Sequence, residues 1–96
     1  MNILIDTDEL KAICTRENIK YLGLFGSYAR GEAHSTSDVD VLIDFVDTKS
    51  YFQLAKVQEE LEDIFKRKVD LVLRSKIKVS LKPYILKDLM PLYEKK

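Results

Sequence analysis

A chain of 96 residues reads as one small domain over 1–96, with room for a modest two-layer core but none for a separate acceptor domain, so a large substrate has to be met at its surface. Sixteen basic residues balance sixteen acidic ones, which provides no long-range field toward nucleic acid or membrane, and direct nucleic-acid binding is not expected. The single cysteine, Cys14, excludes an intramolecular disulfide or a thiolate cluster, and no segment has the length or apolarity of a leader or a bilayer span, so the expected setting is cytoplasmic.

Asp6-Thr7-Asp8-Glu9 has the form of a helix start, and Leu10, Ile13 and Cys14 continue at helical spacing, which predicts a first helix over about 7–17. Tyr21 to Phe25 is a short apolar, aromatic run closed by Gly26-Ser27, the pattern of a buried strand. A short helix should leave that turn and end near Gly31, with His34 to Ser37 as loop. A second strand is expected from Val39 to Phe45. Ser50-Tyr51-Phe52-Gln53 offers a capping box, and Leu54, Val57, Leu61, Ile64 and Phe65 mark one face of the helix that follows. Lys68 to Leu73 reads as a third strand with Val69, Leu71 and Leu73 on one side and Asp70 and Val72 on the other. From Ser75 to Lys96 the spacing of Leu81, Ile85, Leu86 and Leu89 is helical, with Pro83 suited to a first turn and Pro91 to a break.

The chemistry lies between Gly26 and Asp40. A glycine at the end of a strand lets backbone approach a ligand, Ser27 supplies a hydroxyl, and the free amides of a first helical turn favour an anion. Asp38 and Asp40 stand two apart at the head of an apolar strand and so project from one face. Their repulsion, and the cost of holding them near apolar neighbours, are relieved by sharing hard cations such as Mg²⁺. Asp70, on the third strand, joins them if the two strands are neighbours, either as ligand to a second ion or as acceptor of the attacking hydroxyl's proton. Arg30 is placed to reach a triphosphate or to pair with Asp44 or Glu32, while His34 reads as a solvated loop residue.

Gly26-Ser27, ten intervening residues and Asp38-Val39-Asp40, with Ala29-Arg30-Gly31 inside the interval, resemble the signature of the minimal nucleotidyltransferases of the DNA polymerase beta superfamily. The likeness extends to Leu42-Ile43-Asp44-Phe45, to Lys68-Val69-Asp70-Leu71-Val72, and to Tyr84-Ile85-Leu86-Lys87-Asp88 with Tyr93-Glu94. It implies an α/β (α+β) palm with a mixed sheet of three or more strands and helices mainly on one face. It also implies ATP with one or two Mg²⁺ ions as donor, Asp38, Asp40 and Asp70 as catalytic and metal-binding acids, and Gly26, Ser27 and Arg30 as nucleotide contacts. Members resemble the antitoxin half of a module whose partner is a helical HEPN ribonuclease toxin, and some transfer AMP to a tyrosine of that toxin. The expected function is therefore Mg²⁺-dependent transfer of AMP to a HEPN toxin. A rival is neutralisation by occlusion alone, on the strength of Leu81, Ile85, Leu89, Met90 and Leu92. Transfer to a small molecule is disfavoured by the missing acceptor domain.

Overall fold

The computed structural model describes residues 7–32 and 37–95. The expected cap Asp6 and the loop histidine His34 lie outside them. Helix α1 (Thr7–Arg16) leads into β1 (Ile19–Phe25) and the short α2 (Gly26–Arg30). Strand β2 (Val39–Phe45), helix α3 (Tyr51–Phe65) and strand β3 (Val69–Leu73) follow, then α4 (Lys82–Lys87) and β4 (Met90–Glu94). The strands form one mixed sheet in the order β3-β2-β1-β4. β1 is antiparallel to β2 and β4, whereas β2 and β3 are parallel and α3 provides the crossover that parallel neighbours need.

Local chemistry explains where these elements start and stop. Ser50 Oγ accepts from the Gln53 amide at 3.2 Å and Gln53 Oε1 accepts from the Ser50 amide at 2.7 Å, so the capping box forms as its sequence predicts. α2 ends at Gly31, whose φ of 73° lets the Gly31 and Glu32 amides donate back to Tyr28 O and Ser27 O.

One face of the sheet is covered by α1 and α3. Leu10, Ile13 and Cys14 from α1 and Val57, Leu61, Ile64 and Phe65 from α3 close over Leu22, Leu24, Val39, Val41 and Ile43. A β-bulge between Ile19 and Tyr21 brings Ile19 and Leu22 to this same core although they are three residues apart. The opposite face is covered only in part, by a smaller cluster in which Ile85 of α4 meets Tyr21 and Leu42. Asp40 and Asp70 alternate with core residues and so belong to this less covered face.

The chain beyond Ser75 departs from the helical expectation. Two 3₁₀ turns, Arg74–Lys76 and Val79–Leu81, precede an α4 of six residues that carries Pro83 in its first turn. Residues 90–94 then pair with β1 as an edge strand. Pro91, taken from sequence as a helix breaker, is tolerated there because an edge strand is not required to donate on both sides.

Candidate active site

Sheet register assembles the acids. β1 ends at Phe25, which pairs with Asp40 across the antiparallel ladder, so the Gly26-Ser27 turn begins beside that carboxylate. On the other side of β2, Asp40 pairs with Asp70 in the parallel register. Neighbouring strands run about 4.8 Å apart, which sets the spacing between these two backbone positions. Asp38 precedes β2 by one residue and is exposed, as is Asp70, while Asp40 is half-buried.

The electrostatics agree with that placement. Burial raises the Asp40 carboxyl above the ordinary aspartate range, the Asp70 and Asp38 charges raise it further, and Arg30 pulls it back. Two acids and one cation therefore act on Asp40 at the end of the sheet where the Gly-Ser turn sits.

The donor set suits a hard cation, since it consists of carboxylate oxygens whose mutual repulsion a divalent ion would offset. Among the described residues, no group of three His, Cys, Asp or Glu side chains is arranged as it stands to hold a metal ion. What the fold supplies is the register pair Asp40 and Asp70 with Asp38 alongside. Asp38 and Asp40, with Asp70 beside Asp40, are the residues that would hold Mg²⁺, which would supply charge neutralisation to a bound phosphate.

Gly26 has φ of +73°, and a Cβ built on it would overlap the Asp40 Oδ2 atom. The glycine thus provides close packing against the acid as well as the turn. Phe25, at the N-cap of α2, makes no side-chain capping bond, which leaves the first-turn amides without a side-chain cap.

Arg30 lies in α2 next to this cluster. Its Nε donates to Glu32 at 3.1 Å and its Nη1 to Asp88 at 3.0 Å. Of the two ion-pair partners expected from sequence, Glu32 is found. Asp44 sits toward the other end of β2, paired with Tyr21, and the second partner is instead Asp88. That contact was not visible from spacing because Asp88 comes from the segment after β3.

A cavity of about 370 Å³ opens beside Asp70, lined mainly by Phe25, Val72, Ile77, Tyr84 and Ile85, with Lys76 and Lys78 contributing to its wall. A second, of about 440 Å³, lies against Asp44 to Lys49, Leu54 and Leu73 and contains none of the three acids.

The nucleotidyltransferase-domain family model matches residues 8–93, a span that contains the whole site. The chain belongs to the nucleotidyltransferase family. It is 36% identical over 84 residues to the protein adenylyltransferase MntA of Thermococcus cleftensis, covering 88% of this chain and 85% of that one. It is 35% identical over 88 residues to the Methanocaldococcus jannaschii chain MJ0435, provisionally named a protein adenylyltransferase, covering 92% and 95%. By family and relatives this nucleotidyltransferase is an adenylyltransferase. Its fold is shared with a toxin-antitoxin crystal structure containing AMP-PNP, at a TM-score of 0.77 and 20% identity, covering 96% of this chain and 76% of that chain. It is also shared with a structure of a tri-AMPylated Shewanella oneidensis HEPN toxin in complex with MNT antitoxin, at 0.67 and 18%, covering 93% and 70%.

Proposed function

We propose that this adenylyltransferase is an antitoxin that transfers AMP from ATP, with Mg²⁺, to a tyrosine hydroxyl of a HEPN-type toxin. The observation that carries the reading is the pairing of Asp40 with Asp70 across β2 and β3, next to the strand end where the Gly26-Ser27 turn begins, with Asp38 one residue before β2. The MntA relative and the AMPylated toxin complex, whose antitoxin has the same fold, support it.

Gly26 and Ser27 hold the triphosphate against backbone amides and the serine hydroxyl, with Arg30 beside it. Asp38 and Asp40 would hold the cation, which would supply charge neutralisation to the donor, and Asp70, exposed at the cavity wall, takes the proton of the attacking hydroxyl. The acceptor oxygen forms a bond to the α-phosphorus, the bond from that phosphorus to the bridging oxygen breaks, and pyrophosphate leaves. A bound partner supplies the walls that a palm of this size lacks.

The test is to mix the protein, ATP, Mg²⁺ and the toxin encoded beside it, and to weigh the toxin. One or more added AMP masses are expected with the wild type, and none with Asp38→Asn or Asp40→Asn. An unchanged toxin mass with wild type would sink the reading.

Neutralisation by occlusion is favoured by one observation. Val79, Tyr84 and Leu86, on α4 and the turn before it, are 81%, 74% and 53% exposed, an apolar surface suited to covering a partner. Protection of cells by a folded Asp38→Asn protein would establish that mode, and loss of protection by a variant that still binds the toxin would exclude it.

A further inference from the structure

Helix α4 ends on an acid. Asp88 follows Lys87 at the C-terminal cap, where the helix's exposed carbonyls disfavour negative charge, so its placement is not explained by the helix it terminates. Its carboxylate is 18% exposed and accepts from Arg30 Nη1 at 3.0 Å, across 58 residues of sequence. Glu32 accepts from Arg30 Nε at 3.1 Å, but it is 65% exposed and only two residues away. The two contacts differ in consequence. A pair with an exposed near neighbour is screened and weakly orienting, whereas a less exposed acid on a separate element restricts where the guanidinium sits, although Arg30 itself is 42% exposed. α2, which carries Arg30, starts at Gly26 against the Asp40 carboxylate and packs on β2, so that position is at the end of the sheet that holds the catalytic acids.

We propose that Asp88 is a positioning residue for AMP transfer, holding the Arg30 guanidinium in place to receive the anionic polyphosphate of a nucleoside triphosphate. This rests on the adenylyltransferase site described above. A free arginine side chain has rotamer entropy to lose when it grips a phosphate. Asp88 and Glu32 remove much of that freedom before the nucleotide arrives, and a guanidinium with five N–H donors has more than these two contacts use. The same pair ties α4, which presents Tyr84 and Leu86 outward, to the phosphate end of the sheet.

The experiment measures AMP-PNP binding with Mg²⁺ by calorimetry, and ATP-dependent AMP transfer to the partner, for the full chain and for Asp88→Ala, Asp88→Glu, Arg30→Ala and the double alanine variant. Asp88→Ala should weaken nucleotide binding and raise KM for ATP about tenfold, with kcat changed less than about threefold. Asp88→Glu should restore most of the affinity. The double variant should bind no more weakly than Arg30→Ala, because Asp88 acts through that arginine. If Asp88→Ala does not fold, Asp88→Asn keeps the shape and should show a smaller loss in the same direction. Equal nucleotide affinity in wild type and the Asp88 variants, or additive losses in the double variant, would overturn the assignment. A wild type that binds no AMP-PNP overturns the proposed function itself, and with it the role of Asp88.

Discussion

The space a side chain would fill at Gly26 is taken by the carboxylate of Asp40. A Cβ there would overlap Oδ2 and lie 3.1 Å from Cγ, on a backbone whose φ is +73°. Substitution therefore meets two costs, one of conformation and one of contact. Gly26→Ala should lower folding stability by about 1–3 kcal/mol from the left-handed backbone alone. It should lower AMP transfer by about a hundredfold, since a displacement of about 1 Å in a reacting group has that effect. Urea unfolding and mass analysis of the partner check the two arms separately, and full activity in a folded Gly26→Ala protein would show that the contact is dispensable.

Asp40 should make the protein's stability depend on pH in the unusual direction. Its folded carboxyl titrates above the unfolded one because of burial first, then Asp70 and Asp38. The native state therefore holds a proton over a pH window in which the unfolded chain has lost it. Stability falls as pH rises from the unfolded aspartate value, about 3.9, through the raised folded value, and the cost stays in full above it. In chelator, Asp40→Asn should thus melt at a higher temperature than wild type at pH 7, and the advantage should vanish by about pH 3.5. Adding Mg²⁺ should raise the melting temperature of wild type and not of Asp40→Asn. A variant less stable than wild type at neutral pH without cation would contradict the cost of holding Asp40 charged where burial and its acidic neighbours oppose it.

Much of this site was legible because its signals are local. The Ser50-Gln53 box and the glycine at the end of α2 each use neighbours within a few residues, and each forms as read, while β2 begins at Val39, between the two acids whose spacing marked it. Asp70 could be placed because Val69, Leu71 and Leu73 go to the main core while Val72 goes to the other face, and because the strand pairs in parallel with β2. The end of the chain was not legible in the same way. β4 has five residues, one of them Pro91, and its pairing with Tyr21 to Leu24 bridges most of the sequence. The apolar spacing of Ile85, Leu86 and Leu89 suits a helix, yet Ile85 and Leu89 pack on the open face of the sheet as the chain turns into that strand. Asp88 had no neighbour in sequence to announce its pairing, since its partner lies in α2.

Cys14 should behave as a reporter of unfolding. Its side chain is 0% exposed in the main core, and burial pushes its thiol up to about 12. Reaction with disulfide reagents proceeds through the thiolate, so both access and ionisation oppose labelling of the native protein. At pH 8 the native chain should remain unlabelled on a timescale set by its unfolding rate, and react at once in denaturant. Rapid labelling of folded protein would place the thiol nearer the surface than α1 packs it. Leu61→Ala, which removes a fully buried α3 side chain from the same core, should speed labelling and cost about 2–5 kcal/mol.

The outer edge of β3 is closed by side chains of α3, and Asp70 depends on that closure. Glu62 Oε2 accepts the Val69 amide at 2.9 Å and Gln58 Nε2 donates to the Val69 carbonyl at 2.8 Å, so the polar groups that an edge strand turns outward at this residue are already engaged. Val69 is 3% exposed and adjoins Asp70. Replacing both polar side chains should therefore cost about 1–3 kcal/mol from the lost hydrogen bonds and also free an edge for pairing with a second chain. Gln58→Ala/Glu62→Ala should show a lower melting temperature, concentration-dependent association by light scattering, and reduced AMP transfer as Asp70 loses its fixed register beside Asp40. Because neither residue contacts the acids, a double variant that stays monomeric and melts like wild type would show that sheet pairing alone holds Asp70 in place.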